Sequence, residues 1–167
     1  DNTGGMGAIC PVPPVTEQLQ KEIEERVIEP TFRGLRKEGL MYRGVLYFGL
    51  MITGDGPKLL EYNVRLGDPE SQVLLPLINS DFVNLCEAMV NGSIDSFPIE
   101  ISPDYAVGVV VAAPGYPTNY KKGHAVEGLP SSQRGKLQVF HASTELDEHG
   151  VLRTGGGRCF SVVGIGS

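Results

Sequence analysis

An α+β fold, with its helices early in the chain and antiparallel strands later, follows from three observations. Apolar residues recur at helical spacing after Thr16 and again after Asp81. Two β-rich runs flank the turn Gly54-Asp55-Gly56-Pro57 and read as a hairpin. Beyond Ser96-Phe97-Pro98 the pattern changes to strands separated by Gly/Pro turns, with no convincing helix among them. A division into 1–97 and 98–167 is therefore expected.

The elements follow in order. Asn2-Thr3-Gly4-Gly5-Met6-Gly7 reads as a polar loop, and Pro11, Pro13 and Pro14 keep the next stretch extended. Thr16 is a suitable N-cap for a helix whose Leu19, Ile23 and Val27 share one face, with Glu17, Glu22, Glu24 and Glu25 toward solvent and the positive helix start. Pro30 should break or kink this helix, which resumes through Phe32 and Leu35 before Gly39. The hairpin pairs Val45–Thr53 with Lys58–Arg65. A second helix runs from Asp81 to about Asn91, capped by Ser80 and ended by Gly92, with Phe82, Leu85, Cys86, Met89 and Val90 as its core stripe. Tyr105–Ala113, Lys136–His141 and Cys159–Ile165 are the later strands.

Bulk composition excludes several classes. Of 167 residues, 41% are hydrophobic and 20% charged, as in ordinary globular proteins. A net charge of −6 argues against broad nucleic-acid or anionic-membrane binding. Cys10, Cys86 and Cys159 lack the number and spacing of a disulfide framework or zinc site. No apolar run is long enough for a membrane span, and the first residues do not form a signal peptide, so the cytoplasm is the expected location.

The chemistry concentrates in Leu59-Leu60-Glu61-Tyr62-Asn63-Val64-Arg65-Leu66-Gly67-Asp68-Pro69-Glu70. Strand alternation puts Leu60, Tyr62 and Val64 on one face and Glu61, Asn63 and Arg65 on the other. Carboxylate and amide oxygens are hard-cation ligands, and Mg²⁺ takes one or two of them beside water and phosphate. Arg65 offers planar donors to a phosphate or carboxylate. The same alternation also fits a half-buried strand whose charges only face solvent. Pro69 turns the chain sharply, so Asp68 and Glu70 are placed to hold an amine, order an arginine or cap the next segment. The Thr3–Gly7 loop either presents backbone N–H groups to an anion or is a plain turn; it lacks the Walker A lysine and frame. His124, His141 and His149 show no metal-ligand spacing, and Gly155-Gly156-Gly157 reads as a bulge or strand entry.

Together, Asn2-Thr3-Gly4-Gly5-Met6-Gly7-Ala8 and Leu60-Glu61-Tyr62-Asn63-Val64-Arg65-Leu66-Gly67-Asp68-Pro69-Glu70-Ser71-Gln72 closely resemble the phosphoribosylamine–glycine ligase family, also called glycinamide ribonucleotide synthetases. The segments Tyr42–Met51, Gly115-Tyr116-Pro117, Val139–Thr144 and Gly156-Gly157-Arg158 resemble the same family, so the likeness runs along the whole chain. It implies the second half of an ATP-grasp domain over 1–97 and a small, mostly antiparallel β domain, incomplete, over 98–167.

The resemblance also implies ATP-dependent joining of glycine to 5-phosphoribosylamine through a glycyl phosphate, in purine synthesis. Glu61 and Asn63 then match the ligands of Mg²⁺ (or Mn²⁺), with Leu59, two residues before Glu61 on the same face, as floor beneath adenine. Arg65 matches the catalytic group that neutralises phosphoryl charge. Asn2, Thr3, Gly4, Gly5, Met6 and Gly7, with Gly67, Asp68, Pro69 and Glu70, would bound the glycine and phosphoribosylamine sites. Asp1 departs from the family's usual proline, and the family's N-terminal part, with its ATP-binding lysines, is expected as a required partner. Two rivals remain: a nucleotide-binding module without catalysis, and another ATP-grasp carboxylate–amine ligase of purine synthesis.

Overall fold

The computed structural model describes residues 1–130 and 135–167. The first strand, β1 (Gly7–Cys10), precedes a helical stretch of α1 (Glu17–Ile23), a π-helical turn (Glu24–Ile28) and α2 (Glu29–Lys37). The hairpin strands β2 (Tyr47–Thr53) and β3 (Gly56–Asn63) lead to α3 (Glu70–Leu74) and α4 (Phe82–Asn91). Then come β4 (Tyr105–Ala112), β5 (Leu137–His141), β6 (Thr144–Leu146), β7 (Leu152–Thr154) and β8 (Arg158–Gly166). The mixture of helices and antiparallel sheets is the α+β fold expected.

These elements form two compact units interleaved along the chain. One contains Asp1–Pro11, Asp68–Asn79 and Ile101–Ser167; the other contains Val12–Gly67 and Ser80–Glu100. In the first unit a four-stranded antiparallel sheet has the order β1-β4-β8-β5. Strand β1, which the sequence does not mark as a strand and whose Gly7 reads as the end of the loop, pairs Gly7–Cys10 with Val109–Ala106. Helix α3 and the single 3-10 turn after it bury Val73 and Leu77 against Ala106 of β4 and Val163 of β8. Gly108 permits this approach, since a Cβ there would lie 2.9 Å from Val73 Cγ1. A second cluster gathers Ala113, Val139, Cys159 and Phe160. The alternate residues of β4, Tyr105, Val107, Val109 and Val111, remain exposed. Burial raises the thiols of Cys10 and Cys159 above the ordinary value, which suits packing rather than nucleophilic work.

In the second unit, Thr16 caps α1 by accepting from the Leu19 amide at 3.2 Å. Of the break or kink expected at Pro30, the break does not occur. A π-helical turn immediately precedes α2, and Pro30 sits in the first turn of α2, where a missing N–H costs least. The helix ends at Gly39, whose φ of +70° is the left-handed conformation glycine adopts without strain. Arg26 pairs with Glu22 and donates to the Asp55 carbonyl at 3.0 Å, tying helix to hairpin turn. Asp81, rather than Ser80, caps α4 by accepting from the Asn84 amide at 2.9 Å. The Ser80 hydroxyl instead accepts from the Glu100 amide and donates to the Pro98 carbonyl. The expected stripe of α4 is only partly buried: Leu85 is inside, Cys86 and Met89 are half-buried, and Phe82 and Val90 are exposed, while Ala88 is buried outside that stripe.

Two outcomes test this packing. Leu77→Ala removes a side chain only 1% exposed and should lower stability by about 3 kcal/mol in a urea titration; a loss below about 1 kcal/mol contradicts the packing. Asp147 accepts from the amides of Val151 and His149 and from Arg153 Nε at 2.6 Å. The Val151 amide and then Arg153 hold its carboxyl below the ordinary value. Its contribution to stability is thus full above the unfolded pKa of about 3.9 and lost as pH falls through the lower folded value. The gap between wild type and Asp147→Asn should be constant above about pH 5 and shrink in stronger acid.

Candidate active site

The hairpin carries the first group of candidate residues. Glu61 lies opposite Gly49 in the register, and Asn63 lies opposite Tyr47. A Cβ at residue 49 would fall 2.8 Å from Glu61 Cγ, so glycine makes room for the carboxylate to lie across the neighbouring strand. Asn63 Nδ2 donates to Glu61 Oε1 at 3.0 Å, so the amide oxygen of Asn63 and the second oxygen of Glu61 both stay outside that bond. A carboxylate and an amide in hydrogen-bond contact on a solvent-facing strand, each with an oxygen outside that bond, suit a cation that keeps most of its water, as Mg²⁺ does. Among the described residues no group of three or more His, Cys, Asp and Glu is placed to hold a metal, which disfavours a dehydrated, all-protein cage.

The opposite side of the hairpin packs on the helix. Tyr62 bonds Thr31 through their hydroxyls at 2.7 Å and meets Phe48 edge-on at 5.5 Å. An apolar groove of about 880 Å³ opens there, lined by Val27, Thr31, Leu35, Tyr62 and Val64. Leu59 also lines it, which corrects the expectation that Leu59 shares a face with Glu61. The pairing jumps from Gly49–Glu61 to Leu50–Leu59, so Leu60 is a bulge and alternation slips by one residue. Arg65 lies beyond the end of β3, where its Nη1 donates to the Leu66 carbonyl at 2.9 Å.

The other candidate loops meet in the first unit. A Cβ on Gly5 would fall 2.5 Å from Pro69 Cδ, so the Asn2–Gly7 loop lies directly against the Asp68-Pro69 turn. The Gly4 amide donates to Tyr116 Oη at 3.2 Å, and the Met6 carbonyl accepts from Val110. The glycines of this loop therefore serve close backbone approach. Arg158, the first residue of β8, joins both loops. Its Nη1 donates to the carbonyls of Gly5 (3.1 Å) and Asp68 (3.0 Å), and its Nη2 pairs with Asp68 Oδ2 at 3.0 Å. Gln72 Nε2 holds Asp68 Oδ1 at 2.8 Å. Of the roles open to Asp68, ordering an arginine is the one realised. Glu70 opens α3.

Sequence reasoning singled out neither Arg158, Gln72 nor Gly49 as a site residue. A glycine in mid-strand opposite a glutamate was a readable sign. Arg158 is recognisable only once β8 is placed beside β4.

The family model described as the ATP-grasp (A) domain of phosphoribosylglycinamide synthetase matches residues 1–71, and the one for that enzyme's C domain matches 106–167. The chain belongs to the phosphoribosylglycinamide synthetase, or phosphoribosylamine–glycine ligase, family. It is 44% identical over 165 residues to the phosphoribosylamine–glycine ligase of Caldanaerobacter subterraneus, covering 99% of this chain and 39% of that protein. It is 48% identical to a trifunctional purine biosynthetic protein of Gallus gallus, of which it covers 16%. The crystal structure of a phosphoribosylamine–glycine ligase from Thermotoga maritima superposes with a TM-score of 0.83 at 41% identity, over 99% of this chain and 40% of that one. The chain thus spans about two fifths of the length of the single-function relatives. No helix among the described residues is long and apolar enough to cross a membrane.

The contact between loop and turn is testable. Gly5→Ala should destabilise the protein by about 1–3 kcal/mol, because the proline ring it meets cannot swing aside; an unchanged thermal midpoint would show the loop free of Pro69.

Proposed function

We propose that this chain carries the metal-binding strand and the substrate loops of a phosphoribosylamine–glycine ligase, which joins glycine to 5-phosphoribosylamine with ATP as phosphoryl donor. The observation that carries the reading is the Glu61–Asn63 pair, joined by a hydrogen bond with Glu61 opposite Gly49, in a family whose relatives bear that activity in their names. The reading also assigns the ATP-grasp part to 1–97 and the β-rich part to 98–167, and a cytoplasmic location consistent with three free cysteines.

In the first step a glycine carboxylate oxygen forms a bond to the γ-phosphorus and the bond to ADP breaks. In the second, the amine of phosphoribosylamine attacks the acyl carbon, the C–N bond forms, phosphate leaves and the nitrogen gives up a proton. Glu61 and Asn63 would hold Mg²⁺, which offsets polyphosphate charge when bound. Arg65 stands two residues past Asn63 with donors left for phosphoryl oxygens, where fixed positive charge stabilises transfer. Asp68, fixed by Arg158 and Gln72, would present a carboxylate to an amine, and the Asn2–Gly7 loop lies against the same turn.

A chimera tests this directly. When this chain replaces its counterpart in the Thermotoga maritima ligase, the product should be glycinamide ribonucleotide, with ADP release dependent on glycine. Glu61→Gln in that chimera should weaken Mg²⁺ affinity by about tenfold or more. A folded chimera that binds ATP yet forms no glycinamide ribonucleotide overturns the proposal. The 167-residue chain alone should fall short of that turnover; normal activity from it would contradict the need for a partner segment.

A further inference from the structure

We propose that Arg158 is a positioning residue for the amine-bearing substrate, acting through Asp68 and the Gly4-Gly5 backbone; this rests on the ligase reading above. Three acceptors from two separate loops converge on one guanidinium: the carbonyls of Gly5 and Asp68 and the carboxylate of Asp68. The base of the side chain is rigid. Residues 158–166 pair with β4, and His141–Leu137 of β5 pair with Phe160–Gly164 on the other side. The glycines before it allow that placement, since a Cβ on Gly156 would lie 2.6 Å from the Ser143 side chain and one on Gly157 would strike Tyr116. Gly4 lies close to the guanidinium as well, with its Cβ position 2.9 Å from Arg158 Cζ.

The chemistry of this clamp goes beyond cohesion. The Arg158 side chain is 26% exposed and Asp68 is 46% exposed, so the ion pair is half-shielded with its carboxylate still open to solvent. Gln72 fixes one carboxylate oxygen and Arg158 the other, which sets the plane of the group and leaves its remaining lone pairs directed outward. A carboxylate held in that way accepts hydrogen bonds from an amine or hydroxyl of a substrate at a fixed angle, with little ordering left to do on binding. The planar fork is essential to the arrangement. A lysine offers a point charge and cannot meet three acceptors on two loops at once.

Two measurements decide. In the isolated chain, Arg158→Lys should speed amide hydrogen exchange at Gly4–Met6 and at Ser71–Val73 together by about tenfold or more, leaving β4 and β8 protected. Faster exchange in one stretch only, or in neither, overturns the clamp. In the chimera, Arg158→Gln should raise KM for phosphoribosylamine about tenfold while KM for ATP stays within about twofold, with Arg158→Lys recovering only part. Arg158→Gln/Asp68→Asn should be no worse than Asp68→Asn alone, because the two act as one unit. Equal rises in both KM values, or additive losses, overturn the positioning role. Loss of product from the unsubstituted chimera would instead overturn the ligase reading, and the exchange measurement would still judge the clamp.

Discussion

Strand β4 sits between β1 and β8, and the convergence of the first unit depends on how closely its neighbours can approach it. Gly108 is the position that sets this distance. On one side Val73 of α3 lies where a Cβ would intrude, and Gly7 of β1 comes within 2.9 Å of the Gly108 carbonyl by the same measure. Helix α3 begins one residue after the Asp68-Pro69 turn, and β1 begins at the end of the glycine loop. Close packing on β4 thus delivers both loops to one place, and β8 on the far side delivers Arg158. A side chain at residue 108 would act on the site without touching it, by moving the helix that carries the turn.

The hairpin obeys a similar constraint on a smaller scale. Gly49 allows Glu61 to lie across the neighbouring strand, where Asn63 can reach its carboxylate. The bulge at Leu60 twists the strand just before this pair and separates two surfaces by chemistry. Leu59, Tyr62 and Val64 line an apolar groove against the helix, while Glu61 and Asn63 hold each other's polar atoms. The segment opened as an ambiguous alternation of polar and apolar residues. Two of its polar members, Glu61 and Asn63, are hydrogen-bonded to each other, which a merely solvated face does not require.

Local chemistry was legible in the sequence wherever a residue type has one dominant local use. Thr16 caps its helix, Gly39 and Gly92 end theirs in the left-handed conformation, and the turn at Gly54-Asp55 joins the hairpin. The failures share a cause: each needed a contact distant in sequence. Strand β1 is four residues long and finds its register only against β4. The exposure of Phe82 and Val90 reflects what surrounds α4, which periodicity along the helix cannot supply. Leu59 changed face because one extra residue entered the ladder. In the candidate site, Glu61 and Asn63 were readable because two residues suffice to place them on one face. Arg158 was not, since its partners Gly5 and Asp68 lie 153 and 90 residues away.

The order of segments in the two units has a consequence for any attempt to dissect the protein. The chain passes from one unit to the other after Pro11, Gly67, Asn79 and Glu100. A stop codon anywhere between Pro11 and Ile101 therefore leaves the first unit without part of its own core. Cutting near residue 98 strips β4, β5 and β8 away from β1 and α3, whose apolar residues Val73 and Leu77 would then face water. Excision of a stable half would require rejoining non-contiguous segments through new linkers, and natural recombination at this locus faces the same geometric toll.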